Sequence, residues 1–204
     1  MRLGIDIDNV LFDVDAAARD ILLGNPPEEL TLAQRTKLQS KSDNWDSIEE
    51  IVGPKNWSWL WDIADETEMF LRDYVDSNYA ASRSAAALLA KKHDVWLITS
   101  RPKHFAWQTF EWLGGLKPAI QARGVIHWGN KVKVAKSLDL EVVVDDKAET
   151  LQKYVTYGRG GDLRGLYVYG VRQPWNSILA TSYYRFKWID NLGELLPEQE
   201  RWTA

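Results

Sequence analysis

The sequence predicts an α/β protein in which a parallel sheet, flanked by helices, carries a helical insertion directly after its first strand. Three observations lead there. Short apolar runs recur along the chain, each ending in polar residues; helical stretches separate them; and residues 14 to 82 hold no convincing strand. Leu3, Ile5 and Ile7, with Gly4 among them, form the first run, apolar enough to be covered on both faces as central parallel strands are. In the insertion, "DAAARDILL" reads as a helix and "GNPPEE" ends it. Thr31 and Gln34 then have the spacing of a capping box. "WDSIEEIV" and "DETEMFLRDYV" are further helical pieces, with "GPKNWSWLW" between them. Beyond residue 82 the helical "SRSAAALLAKK" leads into the apolar run "HDVWLITS", residues 93–100. "NKVKVAKSL" likewise leads into "LEVVVDD", residues 140–146, and a last run is "GLYVYGV", residues 165–171. "YGRGGDLRG", residues 157–165, precedes a strand and reads as a flexible turn, not a phosphate loop. The division is a core of residues 1–13 and 83–204 and an inserted cap of residues 14–82.

The 204 residues suffice for one such domain with its insertion, and 45% apolar with 26% charged residues is the balance of a globular protein. A net charge of −4 gives no general attraction to nucleic acid or anionic membrane. The absence of cysteine removes disulfides and thiolate metal sites. Neither a signal-peptide pattern nor an apolar run of membrane-spanning length is present, so the expected location is the cytoplasm.

Ligands of parallel sheets bind outside the carboxyl ends of the strands. The polar residues collect there: Asp6 and Asp8 after the first run, Thr99 and Ser100 after the second, Asp145 and Asp146 after the third. Two carboxylates at ~4 Å repel by about 4 kcal/mol at an effective dielectric near 20. Converging aspartates therefore need protonation, a lysine or a divalent cation. An all-oxygen donor set suits Mg²⁺. His93, His104 and His127 show no metal-ligand spacing and read as surface or core residues.

In this order, these motifs resemble those of the haloacid dehalogenase (HAD) superfamily of phosphatases, and within it the 5′-nucleotidases acting on deoxyribonucleotides. "GIDIDNV" resembles the first motif, "VWLITSR" the second, and "NKVKVAKSLDLEVVVDD" the third and fourth. "QPWN", residues 173–176, and "WIDNLGELL" resemble the tail of the nucleotidase branch. The resemblance implies a Rossmann-like three-layer core, an aspartyl-phosphate on Asp6, acid–base work by Asp8, and phosphate contacts from Thr99, Ser100 and Lys131, with Lys133 as the competing register. It further implies Mg²⁺ on Asp6, Asp8 (through its backbone carbonyl) and one or both of Asp145 and Asp146. Asn9 stands where the family has Gly, and Asn tolerates left-handed backbone geometry better than most residues.

The cap would close over that site. Trp57, Trp59 and Trp61 either stack a nucleobase or form the core of a small subdomain, and Phe12 is a second stacking candidate on the same terms. Arg101 either reaches a substrate phosphate or sugar or simply opens a helix at the surface. Asp13 reads as an acid of an early helical turn. The expected partner is a small phosphorylated substrate, a nucleotide by preference, with no nucleic-acid polymer and no membrane; homodimerisation stays open. Alternatives are another phosphometabolite or phosphoryl transfer on the same scaffold, and a non-catalytic binding protein. A receiver module is disfavoured because the lysine precedes the last acidic pair, and dehalogenation because dehalogenases generally lack the second aspartate.

Overall fold

The computed structural model describes residues 1–40, 48–72, 77–174, 176 and 183–197. Its centre is β1 (Arg2–Asp6), which pairs in parallel with β2 (Asp94–Thr99) on one side and β4 (Val142–Asp145) on the other. Adding β3 (Gly124–His127), β5 (Tyr167–Val171) and β6 (Phe186–Ile189) gives a six-stranded, all-parallel sheet in the order β3-β2-β1-β4-β5-β6. The chain builds outward from β1 to β3, then crosses back to β4. The strand order thus reverses beside β1, the switch point at which such sheets bind ligands.

Alternation along the strands feeds two cores. Leu3, Ile5, Leu97 and Val144 face one helical layer, and Ile98, Val143 and Val168 face the other. Gly4 lies on the second side, where a Cβ would stand 2.6 Å from Leu140 and 2.8 Å from Ile98, so that neighbouring side chains fill the space above it.

The inserted stretch is helical, as expected, in α1 (Val14–Gly24), α2 (Leu32–Gln39) and α3 (Ile48–Ile63). Asp13 caps α1, accepting from the Ala16 N–H at 2.8 Å, and Thr31 with Gln34 forms the capping box. Two details differ from expectation. The residues after Gly53 in "GPKNWSWLW" are helical, the second segment of α3, set off from the first by a break at Gly53 (φ +79°) and opening at Pro54. "DETEMFLRDYV" is not a helix through residue 72: it forms turns and a short 3-10 segment, Met69–Leu71, entered through Glu68 in the left-handed region (φ +50°), while residues 73–75 lie outside the described residues. Helix α4 (Ser77–Lys92) runs continuously through residues 82 and 83 and packs on β2 and on the Leu192–Leu195 turn. Its Arg83 Nε donates to the Leu11 carbonyl at 2.7 Å, and its Ser82 hydroxyl accepts from the Leu192 N–H at 3.2 Å. Helices α5 (Ala106–Gly115), α6 (Lys131–Ser137) and α7 (Ala148–Gly160) complete the layers. No helix among the described residues is long and apolar enough to cross a membrane.

Candidate active site

Asp6 is the last residue of β1, and the chain turns sharply after it. The Ile7 carbonyl accepts from the N–H groups of Val10 (3.3 Å), Leu11 (2.8 Å) and Phe12 (2.9 Å), and Asn9 N–H donates to the Phe12 carbonyl at 2.7 Å. Asn9 sits at φ +56°, so asparagine does supply the left-handed residue this turn requires. Ile7, Val10, Leu11 and Phe12 are buried and anchor the turn, which leaves Asp8 facing the cavity.

Three carboxylates converge at the switch point. Asp6, Asp145 and Asp146 each present an oxygen within 4.8 Å of the others, and all three are buried. Lys131, the first residue of α6, is buried between two of them: its ammonium donates to Asp6 and to Asp145 at 2.8 Å. Lys133, the competing candidate, is exposed. The second oxygens of the pair are held by backbone, Asp6 by the Ile7 N–H at 2.8 Å and Asp145 by the Lys147 N–H at 2.9 Å.

The charges do not balance. Burial pushes the Asp6 carboxyl up to about 7, against the lowering pull of Lys131 and with Asp145 adding to the rise. Burial alone would lower Lys131, but Asp145 and Asp6 outweigh it and hold its proton firmly. Asp146, buried beside Asp6 and Asp145, is raised well above the ordinary carboxylate range. None of the hydrogen bonds among the described residues reaches its carboxylate, whose own backbone carbonyl accepts from Asn176 at 2.6 Å. This donor set fits a hard divalent cation: all oxygen, anionic in excess of its one lysine, and with one carboxylate unengaged.

Asp8 is held differently. The Arg101 guanidinium forks onto it, Nε at 2.9 and 3.1 Å from the two oxygens and Nη2 at 2.6 Å from one. The Thr99 hydroxyl adds a 3.3 Å contact to Asp8 and accepts from the Arg101 N–H at 3.0 Å. Arg101 is therefore not a surface helix opener. Its side chain is fully buried, lies 4.0 Å from the Phe70 ring centre and 4.7 Å from that of Phe12, and donates to Thr109 at 3.1 Å.

The cavity over these groups has a volume of about 540 Å³. Asp6, Asp8, Ser100, Arg101, Lys131 and Asp146 line it from the core, and Trp57 and Trp61 from the inserted helices. Trp59 does not line it but packs, half-buried, against the apolar core. Phe12, the other stacking candidate, is fully buried with Trp112 edge-on at 5.3 Å and Phe70 at 6.1 Å, so it is a core residue. Thr99 is also fully buried, its hydroxyl engaged with Asp8 and the Arg101 backbone.

Two features escape a reading of the sequence. Asp15, in the first turn of α1, lines the cavity, and burial, reinforced by Asp13, pushes its carboxyl up to about 7; the only local signal was an acid at a helix start. The "QPWN" residues brace the site from behind: Gln173 donates to the Asn9 carbonyl at 2.8 Å, and Asn176 to the carbonyls of Asp146 and Val171 at 2.6 and 2.7 Å. Trp175 of that motif lies outside the described residues.

No family model and no curated protein sequence matches the chain. Solved structures do. A dehalogenase superposes with a TM-score of 0.55 at 11% identity over 95% of this chain and 94% of its own. The L-2-haloacid dehalogenase of Xanthobacter autotrophicus, with chloropropionic acid covalently bound, gives 0.52 at 14% over 95% and 96%. A HAD-superfamily hydrolase of subfamily IA, variant 1, from Geobacter sulfurreducens gives 0.50 at 14% over 95% and 93%. The chain shares its α/β fold with these structures, one of them a HAD-superfamily hydrolase. At such identities the likeness is one of fold, and the chemistry has to be argued from the side chains.

Proposed function

We propose that the chain is a Mg²⁺-dependent phosphomonoester hydrolase that acts on (deoxy)nucleoside monophosphates through an aspartyl-phosphate on Asp6. The observation that carries this reading is the division of labour at the end of β1: Asp6 is fixed by Lys131 among buried acids, while Asp8 is presented separately in the same cavity by Arg101 and Thr99. An Asp6 oxygen attacks phosphorus and the ester P–O bond breaks. Asp8 gives a proton to the departing alkoxide. It then takes a proton from the water that attacks the acyl phosphate, releasing phosphate and restoring Asp6. Lys131, Ser100 and nearby backbone N–H groups offset charge on the phosphoryl oxygens. Asp6, the Asp8 backbone carbonyl and one or both of Asp145 and Asp146 would hold the cation, which supplies neutralisation of the crowded oxygens when bound. Trp57 and Trp61, edge-on to each other at 5.6 Å, give the cavity aromatic faces suited to a nucleobase.

The test is phosphate release from ribo- and deoxynucleoside monophosphates and sugar phosphates, with Mg²⁺ or chelator, beside Asp6→Asn and with 2-chloropropionate as a dehalogenation control. Metal-dependent release from nucleotides that Asp6→Asn abolishes is the expected result. Full activity in that variant refutes the nucleophile, and release from sugar phosphates alone refutes the nucleotide.

A further inference from the structure

A groove of about 600 Å³ leaves the active-site edge along the outside of α6 and α7. Lys131 lines both it and the catalytic cavity. Lys133, Lys136 and Lys153 give it positive charge, against one acid among its described lining residues, Asp162, which pairs with Lys136. Tyr157, 47% exposed, stands at its far end. The next residues of the helix, Gly158 and Arg159, belong to a second concavity of about 690 Å³, lined by Arg159, Arg164 and Arg185 with no acid among its described lining residues.

This second concavity is preorganised. Arg185 is fixed by the Gly165 carbonyl and by the Tyr184 hydroxyl at 3.0 Å, and its guanidinium lies over the rings of Tyr167 (4.7 Å) and Tyr184 (5.2 Å). Gly165 (φ +97°) makes this possible, since a Cβ there would come within 3.0 Å of Nη1. Tyr184 is 81% exposed, so its outer face is open. The "YGRGGDLRG" segment is thus more than a turn: it brings Arg159 and Arg164 to the C-terminal end of α7, whose first residues, Ala148 and Glu149, line the catalytic cavity. Helix α7, 13 residues long, gives this basic track a length of about 20 Å, or five to six phosphates at a ~3.4 Å stacking rise.

From this we infer that the track binds the sugar–phosphate chain of a single-stranded nucleic acid, with its phosphorylated end in the catalytic cavity. The inference deepens the phosphatase reading and rests on it for the chemistry; it departs from the expectation of no polymeric partner, because the local charge opposes the overall −4. Cations spaced along a groove with open aromatic faces between them are what a flexible single strand requires: phosphates meet lysine and arginine, and bases stack on tyrosine. Inorganic polyphosphate or an anionic membrane would use the cations and leave the rings idle.

The test separates binding from turnover. Anisotropy of a labelled, terminally phosphorylated dT oligonucleotide is read on Asp6→Asn protein, then on that protein carrying Lys133→Glu with Lys153→Glu, Arg159→Glu with Arg164→Glu, or Tyr157→Ala with Tyr184→Ala. Each charge pair should weaken binding at least about tenfold and flatten its salt dependence by about 0.7 per lost phosphate contact. The tyrosine pair should weaken it about tenfold with the salt slope kept. In the Asp6 background of the natural chain, the same changes should lower phosphate release from the oligonucleotide and leave release from a mononucleotide unchanged. Unaltered binding in the charge variants overturns the track. So does equal competition by polyphosphate or phosphatidylserine vesicles together with an inert tyrosine pair. Track-dependent binding without phosphate release from any substrate would uphold this inference and remove the phosphatase reading instead.

Discussion

Replacing Arg101 by Met tests the arrangement that distinguishes this site. The side chain is fully buried, and the substitution deletes the fork onto Asp8 and the 3.1 Å bond to Thr109. Methionine keeps apolar contact with Phe12 and Phe70, so little packing is lost. Thr109 keeps its bond to the Phe105 carbonyl at 3.1 Å and is not stranded. What remains is Asp8 without its cation. Breaking a buried pair costs about 3–5 kcal/mol. Asp8 is 21% exposed and takes up water on its open side, which brings the cost to about 3 kcal/mol. For a domain of this size that lowers Tm by roughly 6–12 °C. Asp8→Asn leaves the arginine in the more enclosed position and should cost at least as much, whereas the double variant should fall well short of the sum. Urea unfolding of all four proteins closes the cycle. A coupling of about 2 kcal/mol is expected; a coupling below about 0.5 kcal/mol, the size of an exposed pair, refutes the argument.

Mg²⁺ should stabilise the protein by about 2.7 kcal/mol at a hundred times its dissociation constant, read as a rise in Tm that chelator reverses and Asp146→Asn largely removes. Because burial raises both Asp6 and Asp146, protons compete with the cation, and the same Mg²⁺ concentration should raise Tm less at pH 5 than at pH 8. Asp15 has a folded-state carboxyl raised from 3.8 to about 7, so the native state holds the extra proton and stability falls as pH rises from about 4 to 7. The full shift corresponds to about 4 kcal/mol, and solvent at the cavity mouth reduces it to about 2. Asp15→Asn should therefore be more stable than the natural chain at pH 8 and equal to it near pH 3.5; an unchanged pH profile by urea titration would exclude a half-buried, proton-retaining Asp15. Gly170→Ala would place a Cβ 2.5 Å from the rigid Trp188 ring, and should cost about 1–3 kcal/mol in thermal unfolding without altering Mg²⁺ binding.

The sequence was most readable where burial alone decides structure. β1, β2, β4 and β5 announce themselves as apolar runs because helices cover both faces of the sheet. β3 and β6 did not, being four residues long at the two sheet edges and including half-exposed residues. The second segment of α3 was hidden behind Gly53 and Pro54: the backbone does break at Gly53 (φ +79°), but Pro54 opens a new helical segment there. The acids at strand ends were readable as charges out of place, yet which cation serves which acid depends on geometry that spacing cannot carry. Lys131 and Lys133 are equivalent on paper; only the start of α6 puts the first under Asp6 and Asp145 and the second in solvent. Arg101 lies 93 residues from Asp8, and the two meet only because the Ile7 carbonyl gathers three N–H groups and folds the chain back. Lys131 serves Asp6 and Asp145, and Arg101 serves Asp8. That leaves Asp146, of the three converging carboxylates, as the one to which no protein cation is bonded among the described residues. Asp146 and Asp6 are therefore the residues that would hold a divalent cation, which would supply positive charge where neither Lys131 nor Arg101 serves Asp146.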